Sequence, residues 1–247
     1  MHITLYGLMM VSGFLGAAVM SMLLARFRYH VDADDTIYIL TFTCIGVLAG
    51  AKLLYLAVSL PEAVSLIQAG QWKALLAGGM VFYGGLLGGL AGAAMITRYF
   101  WLDPWEYIPA ILPGGVLIAG MGRIGCTMAG CCHGRIWSFG IVYHHSLIAP
   151  NGVTLFPTQP LEAGFDFLLV ILLIYLGKKI SGQALLWTYL LSYSTFRFFL
   201  EFFRGDEVRG FFLCFSTSQW ISLGIIAVFM ISMVRKKVDN VYGIEQI

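Results

Sequence analysis

Charge is what this chain has least of. Only 11% of its 247 residues are Asp, Glu, Lys or Arg, against roughly 25% in soluble proteins. That scarcity excludes an ordinary water-soluble domain. The net charge is only +2, and the basic residues fall in small groups beside apolar runs, so no nucleic-acid partner is expected. The N-terminus lacks the basic stretch that opens a cleavable signal peptide, and the first apolar run is long enough to span a bilayer itself. What remains is apolar: 59% of the residues are hydrophobic and the mean hydropathy is +0.83.

A membrane span needs roughly 20 consecutive apolar residues. Seven such runs are predicted, at about 4–25, 36–58, 76–99, 108–130, 160–177, 183–203 and 218–234. The fourth is interrupted by Pro113 and Gly114-Gly115. Lys and Arg set orientation. Arg26 and Arg28 follow the first run, Arg98 the third, Lys178 and Lys179 the fifth, and Arg235, Lys236 and Lys237 the seventh. The expected fold is therefore an all-α polytopic membrane protein of about seven transmembrane helices. Its N-terminus is outside and its C-terminus cytoplasmic, with residues 1–247 forming a single integral membrane domain. The opposite face then holds the 60–75, 122–159 and 204–217 connections.

Polar residues stand out against this background. The segment Gly122-Arg-Ile-Gly-Cys-Thr-Met-Ala-Gly-Cys-Cys-His-Gly-Arg135 gathers two arginines, four glycines, three cysteines and a histidine. Glycines admit close backbone approach, and arginines offer planar, permanently charged donors suited to phosphate. Together they suggest an anionic head group held at the membrane surface. Arg197 and Glu201 lie within an apolar run, where an arginine costs about 2.5–3.5 kcal/mol at the membrane centre. Their i, i+4 spacing allows them to pair, and Arg204 follows at i+7 on nearly the same face; Arg209 lies just beyond. An intramembrane ionisable group is a site candidate; a structural ion pair is the alternative. Lys52 either snorkels or joins such a site. Glu162 follows Pro157-Thr158-Gln159 at a helix start, where capping is expected. The glycine repeat after Tyr83 reads as a close helix-packing stripe.

Cys126, Cys131, Cys132 and His133 leave three readings open: zinc ligands, a disulfide within the segment or to Cys214, or reduced side chains in a crowded site. The spacing matches no standard zinc pattern, and no metal or other cofactor is expected. Cys44 is the fifth cysteine, and His144-His145 is isolated.

In these motifs the chain resembles the prolipoprotein diacylglyceryl transferase family. Tyr6-Gly-Leu-Met9 is similar to the family's first-span segment, and Tyr83-Gly84-Gly85 to its His-Gly-Gly. Gly122-Arg123-Ile124-Gly125 and Gly134-Arg135 match its Gly-Arg-Ile-Gly-Asn … Gly-Glu … Gly-Arg element. Pro157-Thr158-Gln159 with Glu162, and Arg197-Phe198, Glu201-Phe202 and Arg204, match two further elements.

The resemblance implies an enzyme of the bacterial cytoplasmic (inner) membrane with its site toward the outer face. The diacylglyceryl group of phosphatidylglycerol, or a related anionic lipid, would pass to the cysteine thiol of a lipoprotein precursor, forming a thioether and releasing glycerol-1-phosphate. It implies catalytic roles for Arg123, Arg197, Glu201 and Tyr83. Substrate-binding roles fall to Tyr6, Gly84, Gly85, Gly122, Gly125, Cys126, Cys131, Gly134, Arg135, Glu162 and Arg204. Three positions depart from the family pattern: Tyr83 replaces His, Cys126 replaces Asn and Cys131 replaces Glu. A phenol, with a reference pKa near 10, is a poor base at neutral pH. The departures admit two alternatives on the same fold: a different acceptor, or a non-catalytic lipid-binding or redox relative.

Overall fold

The computed structural model describes residues 5–72, 81–205 and 211–242. Among these residues eight helices dominate. They are α1 (Leu5–Leu23, continued by a wider π turn over Leu24–Tyr29), α2 (Ala33–Val58), α3 (Leu60–Gln68), α4 (Phe82–Tyr99), α5 (Pro104–Ala129), α6 (Thr158–Leu176), α7 (Gly182–Leu200) and α8 (Thr217–Tyr242). Helices occupy all seven predicted runs, and α3 was not expected. Among the described residues, five helical segments are long and apolar enough to cross a membrane: Leu5–Tyr29, Ala33–Val58, Pro104–Ala129, Thr158–Leu176 and Thr217–Arg235. The protein is membrane-embedded, and its architecture is that of a polytopic helical membrane protein. Of the 76–99 run only Phe82–Tyr99 is described as helix, residues 73–80 and Arg209 lying outside the described residues.

The all-α expectation needs one amendment. The 122–159 connection forms an antiparallel pair, β1 (Ile136–Val142) with β2 (Thr154–Leu155), with a register irregularity between Ile136 and Ile141. A second pair, β3 (Phe211–Phe212) with β4 (Phe215–Ser216), precedes α8. Both satisfy backbone groups of connections that have left the helices.

The chain divides into two compact units. The first comprises Met1–Ser21 and Ile108–Ile247. Here α1 buries Gly13, Ala17 and Ser21, a small-residue stripe at four-residue spacing. Gly13 faces Met121 and Ile118, and Gly114 faces Ser21 and Ala17, so α1 and α5 run antiparallel. Pro109 and Pro113 both lie inside α5, which continues past them; the predicted interruption does not end the helix. Its core is Val116, Leu169, Val170, Leu173 and Leu185.

Along α6 one face is buried from Thr158 and Glu162 through Asp166 and Leu169 to Leu173, the helical period of an inward stripe. That stripe is polar at its N-terminal end and apolar beyond. Ser181 caps α7 by accepting from the Ala184 amide at 3.3 Å, and Phe165 stacks on Phe196 with centroids 4.0 Å apart. The stacked rings brace α6 against α7 beside the polar residues.

The second unit is Met22–Tyr107. Asp32 caps α2 by accepting from the Asp34 and Asp35 amides at 2.8 and 3.0 Å, and the Tyr107 hydroxyl donates to Asp35 at 2.9 Å. Helices α2 and α4 meet backbone to backbone. A Cβ at Gly84 would run into the Gly50 carbonyl, and one at Gly50 into that of Gly84. Lys52 lies on α2 with its Nζ 5.0 Å from the centroid of the Tyr55 ring, a cation–π contact.

Candidate active site

The polar face of the first unit is organised around Glu162. This carboxylate is nearly buried, with 3% of its side chain exposed. Its Oε2 accepts from Arg123 Nε at 3.1 Å and from Arg197 Nη1 at 3.2 Å, and its Oε1 accepts the Tyr193 hydroxyl at 2.8 Å. Arg197 Nη2 in turn reaches Glu201 Oε2 at 2.8 Å. Two guanidinium groups and two carboxylates thus alternate as Arg123–Glu162–Arg197–Glu201, and their formal charges cancel. Mutual neutralisation is what allows four ionised groups to reside among apolar helices.

The expected Arg197–Glu201 pair is present. Two other expectations are corrected. Glu162 does not cap α6: the residue before that helix, Pro157, has no side-chain cap, and the Glu162 carboxylate is turned inward to both arginines. Arg204 is not on the Arg197 face, because α7 ends at Leu200 and passes through a 3₁₀ turn over Glu201–Phe203. Arg204 is then extended and bridges to Gly134.

Arg123 and Cys126 sit on the last turns of α5, not in a loop. The two arginines differ in surroundings. Arg197 lies between two carboxylates with 9% of its side chain exposed, whereas Arg123 keeps 23% exposed. Of the pair, Arg123 has the greater room to meet a further anion.

After Ala129 the chain reverses through Gly130 and Cys132, both left-handed at φ 74° and 57°. The turn is clamped from outside. Gln159 Nε2 donates to the Cys131 carbonyl at 2.9 Å, Thr158 Oγ1 to that of Cys132 at 3.1 Å, and the Tyr143 hydroxyl to that of Thr127 at 2.8 Å. The Pro157-Thr158-Gln159 element therefore secures the cysteine segment. No disulfide joins the five cysteines, all of them among the described residues. The Sγ atoms of Cys126, Cys131 and Cys132 lie within 4.8 Å of one another. His133 is buried, its Nδ1 3.0 Å from the Gly134 carbonyl, and it is not in that trio. Burial pushes the Cys131 thiol above its ordinary range.

Gly134 is a junction. The Gly205 amide donates to the His133 carbonyl, Arg135 N–H to Phe203 and Phe156 N–H to Arg135, at 3.0, 2.9 and 2.9 Å. A Cβ at Gly134 would strike the Phe156 carbonyl. Arg135 is exposed and lies over Trp137 and Phe203, 4.8 and 5.2 Å from their centroids. Tyr6 packs its ring on Gly125, and Gly122 faces Met10. Tyr83, Gly84 and Gly85 open α4 in the second unit.

Two functional candidates escaped the sequence reading. Tyr193 holds the second oxygen of Glu162. Asp166, one turn after Glu162, is 1% exposed, and neither of its oxygens has a hydrogen-bond partner among the described residues. An acidic residue inside the 160–177 run was the signal for Asp166; nothing in the local sequence marked Tyr193.

A family model described as prolipoprotein diacylglyceryl transferase matches residues 1–235. The chain belongs to that family. Among similar proteins of the family, the phosphatidylglycerol–prolipoprotein diacylglyceryl transferase 2 of Clostridium perfringens is 33% identical over 235 residues, covering 90% of this chain and 86% of its own. The phosphatidylglycerol–prolipoprotein diacylglyceryl transferase of Clostridium tetani is 32% identical over 236 residues, covering 93% and 92%. That of Dehalococcoides mccartyi is 30% identical over 232 residues, covering 90% and 85%. At these identities this is a divergent member of the diacylglyceryl transferase family.

Proposed function

We propose that the chain transfers the diacylglyceryl group of phosphatidylglycerol to the lipobox cysteine of prolipoproteins, forming a thioether and releasing glycerol-1-phosphate. The observation that carries this reading is the buried Arg123–Glu162–Arg197–Glu201 chain. Family membership and the relatives' names support the reaction and both substrates.

On this reading 1–247 is one membrane transferase domain with seven spans, its N-terminus outside, its C-terminus cytoplasmic and its site toward the outer face of the bacterial inner membrane. The head-group phosphate meets Arg123, the more accessible cation. Arg197, held from both sides, contributes fixed positive charge. Charge grows on the phosphate oxygen as the glyceryl carbon–oxygen bond breaks, and preorganised cations stabilise that charge. Glu162 and Glu201 hold the guanidinium planes, Tyr193 holds Glu162, and Tyr6, Gly122 and Gly125 line the approach. Gly84 and Gly85 serve lipid binding, as do Gly134, Arg135 and Arg204, and Tyr83 takes the catalytic place of the family's histidine. Cys126 and Cys131 stand where the family carries Asn and Glu, so thiol chemistry replaces amide and carboxylate chemistry beside Arg123.

The test is purified protein in phosphatidylglycerol micelles with a lipobox peptide, followed by mass spectrometry. A diacylglyceryl mass on the peptide cysteine, stoichiometric with glycerol-1-phosphate, is expected. Intact lipid and unmodified peptide with folded protein would refute the reading.

A further inference from the structure

We propose that Cys126, Cys131 and Cys132 form a site for one thiophilic divalent cation of the zinc class, with three thiolate ligands and a fourth position open. Their Sγ atoms lie within 4.8 Å of one another. With metal–sulfur bonds of about 2.3 Å, tetrahedral geometry sets sulfurs about 3.8 Å apart, so closing the trio on an ion moves each pair by no more than about 1 Å.

The arrangement is invisible in the spacing because it depends on the turn. Cys126 comes from the last turns of α5. The left-handed residues Gly130 and Cys132 then fold the chain back, which brings the Cys131 and Cys132 thiols to that of Cys126. The Gln159, Thr158 and Tyr143 clamps fix this backbone by contacts that do not involve the thiols. The ligands are therefore held ready, as a functional site requires. Cys126 is buried, while Cys131 and Cys132 are half-exposed, so the trio is open on one side. Three thiolates on a divalent ion leave one negative charge. Arg123, one turn before Cys126 on the same helix, is in electrostatic range of Cys126 and Cys132 and offsets it.

Resting on the transferase reading above, the open position takes the acceptor thiol. A metal-bound thiol is deprotonated, its proton passing to water. A sulfur lone pair forms the bond to the glyceryl carbon while the carbon–oxygen bond breaks, its electron pair leaving on the phosphate of glycerol-1-phosphate. The thioether produced is a neutral, weaker ligand than the thiolate and departs. This supplies a thiolate without a histidine at position 83.

Full-length protein in detergent, reduced and stripped with a chelator, is titrated with Cd²⁺ alone. A thiolate-to-cadmium charge-transfer band saturating at one ion per chain is expected. It should be lost in Cys126→Ser, Cys131→Ser and Cys132→Ser and kept in Cys214→Ser. Arg197→Ala should keep the band while losing transfer, and wild-type protein that shows the band but transfers nothing counts against the transferase reading and not against the site. No band from folded, fully reduced wild-type protein would overturn the site, as would a band surviving in the triple serine variant. So would a disulfide within the trio in protein isolated without reductant. For the acceptor role, stripping should lower transfer by about tenfold or more and Zn²⁺ should restore it; undiminished transfer by metal-free protein overturns that role.

Discussion

Arg123 and Arg197, 74 positions apart in sequence, donate to one and the same oxygen, Glu162 Oε2, at 3.1 and 3.2 Å. The shared acceptor makes the two cations a unit: neither guanidinium can be displaced without altering what the other meets.

Glu162→Gln keeps the shape and removes the charge, leaving two buried cations opposite Glu201 alone. Breaking a buried pair by losing one partner costs about 3–5 kcal/mol. The expected result is a transfer rate reduced by about 100-fold or more together with a lower unfolding temperature in detergent. Wild-type thermal stability in this variant would show that Glu162 is not the anchor of the network.

Lysine should be tolerated better at position 123 than at position 197. A lysine retains charge but not the planar fork, and Arg197 uses two different nitrogens for two carboxylates. Arg197→Lys should therefore lose transfer almost as fully as Arg197→Ala, and Arg123→Lys should retain a measurable fraction. Initial rates over a lipid titration decide it; equal rates for the two lysine variants would contradict the assigned asymmetry.

Tyr193→Phe removes the hydroxyl that donates to Glu162 Oε1 at 2.8 Å. A hydrogen bond to a charged group is worth about 1.5–3 kcal/mol. The prediction is a loss of about tenfold or more in turnover with the protein still folded and membrane-inserted. Turnover equal to wild type would mean that the phenol contributes packing only.

Gln159→Ala leaves the Cys131 carbonyl without its donor at 2.9 Å. Amide hydrogen exchange over residues 127–133 should speed up, by an amount corresponding to about 1–3 kcal/mol for an unsatisfied buried group, while exchange in α8 stays unchanged. Uniform acceleration throughout the chain would point to global destabilisation and refute the local clamp.

Alkylation of metal-free protein should discriminate among the cysteines. Cys214 is exposed and should react first. Burial raises the Cys131 thiol, so less of it is thiolate at neutral pH, and thiolate is the reactive form. Its rate should keep rising with pH beyond the ordinary thiol value of about 8.5, as peptide mapping after timed alkylation would record. A plateau below that value would contradict the direction of the shift.

Much of the architecture was legible because it depends on local composition. Apolar runs located the helices, and a four-residue spacing foretold the Arg197–Glu201 contact. Glu162 was placed correctly at a helix start, yet its role was misread: the arginine it pairs with on α7 lies 35 positions away, and no local pattern reports that. Arg204 was assigned to a helical face because periodicity carries no mark of the 3₁₀ turn that ends α7. The cysteine trio was weighed by spacing, whereas its proximity arises from two left-handed residues. Sequence legibility thus fell where the chain turns and where partners come from different helices.

The seam between α2 and α4 bears on how any mutational survey of this protein is interpreted. Gly50 and Gly84 touch through their backbones, so one methyl group forces the two helices apart. Tolerance along this seam would follow a four-residue beat that tracks steric room and not chemistry. An inactive Gly84→Ala enzyme would accordingly report on architecture as much as on the lipid binding proposed for Gly84. Catalytic inference is cleaner from substitutions that delete atoms, such as Tyr193→Phe, than from those that add them.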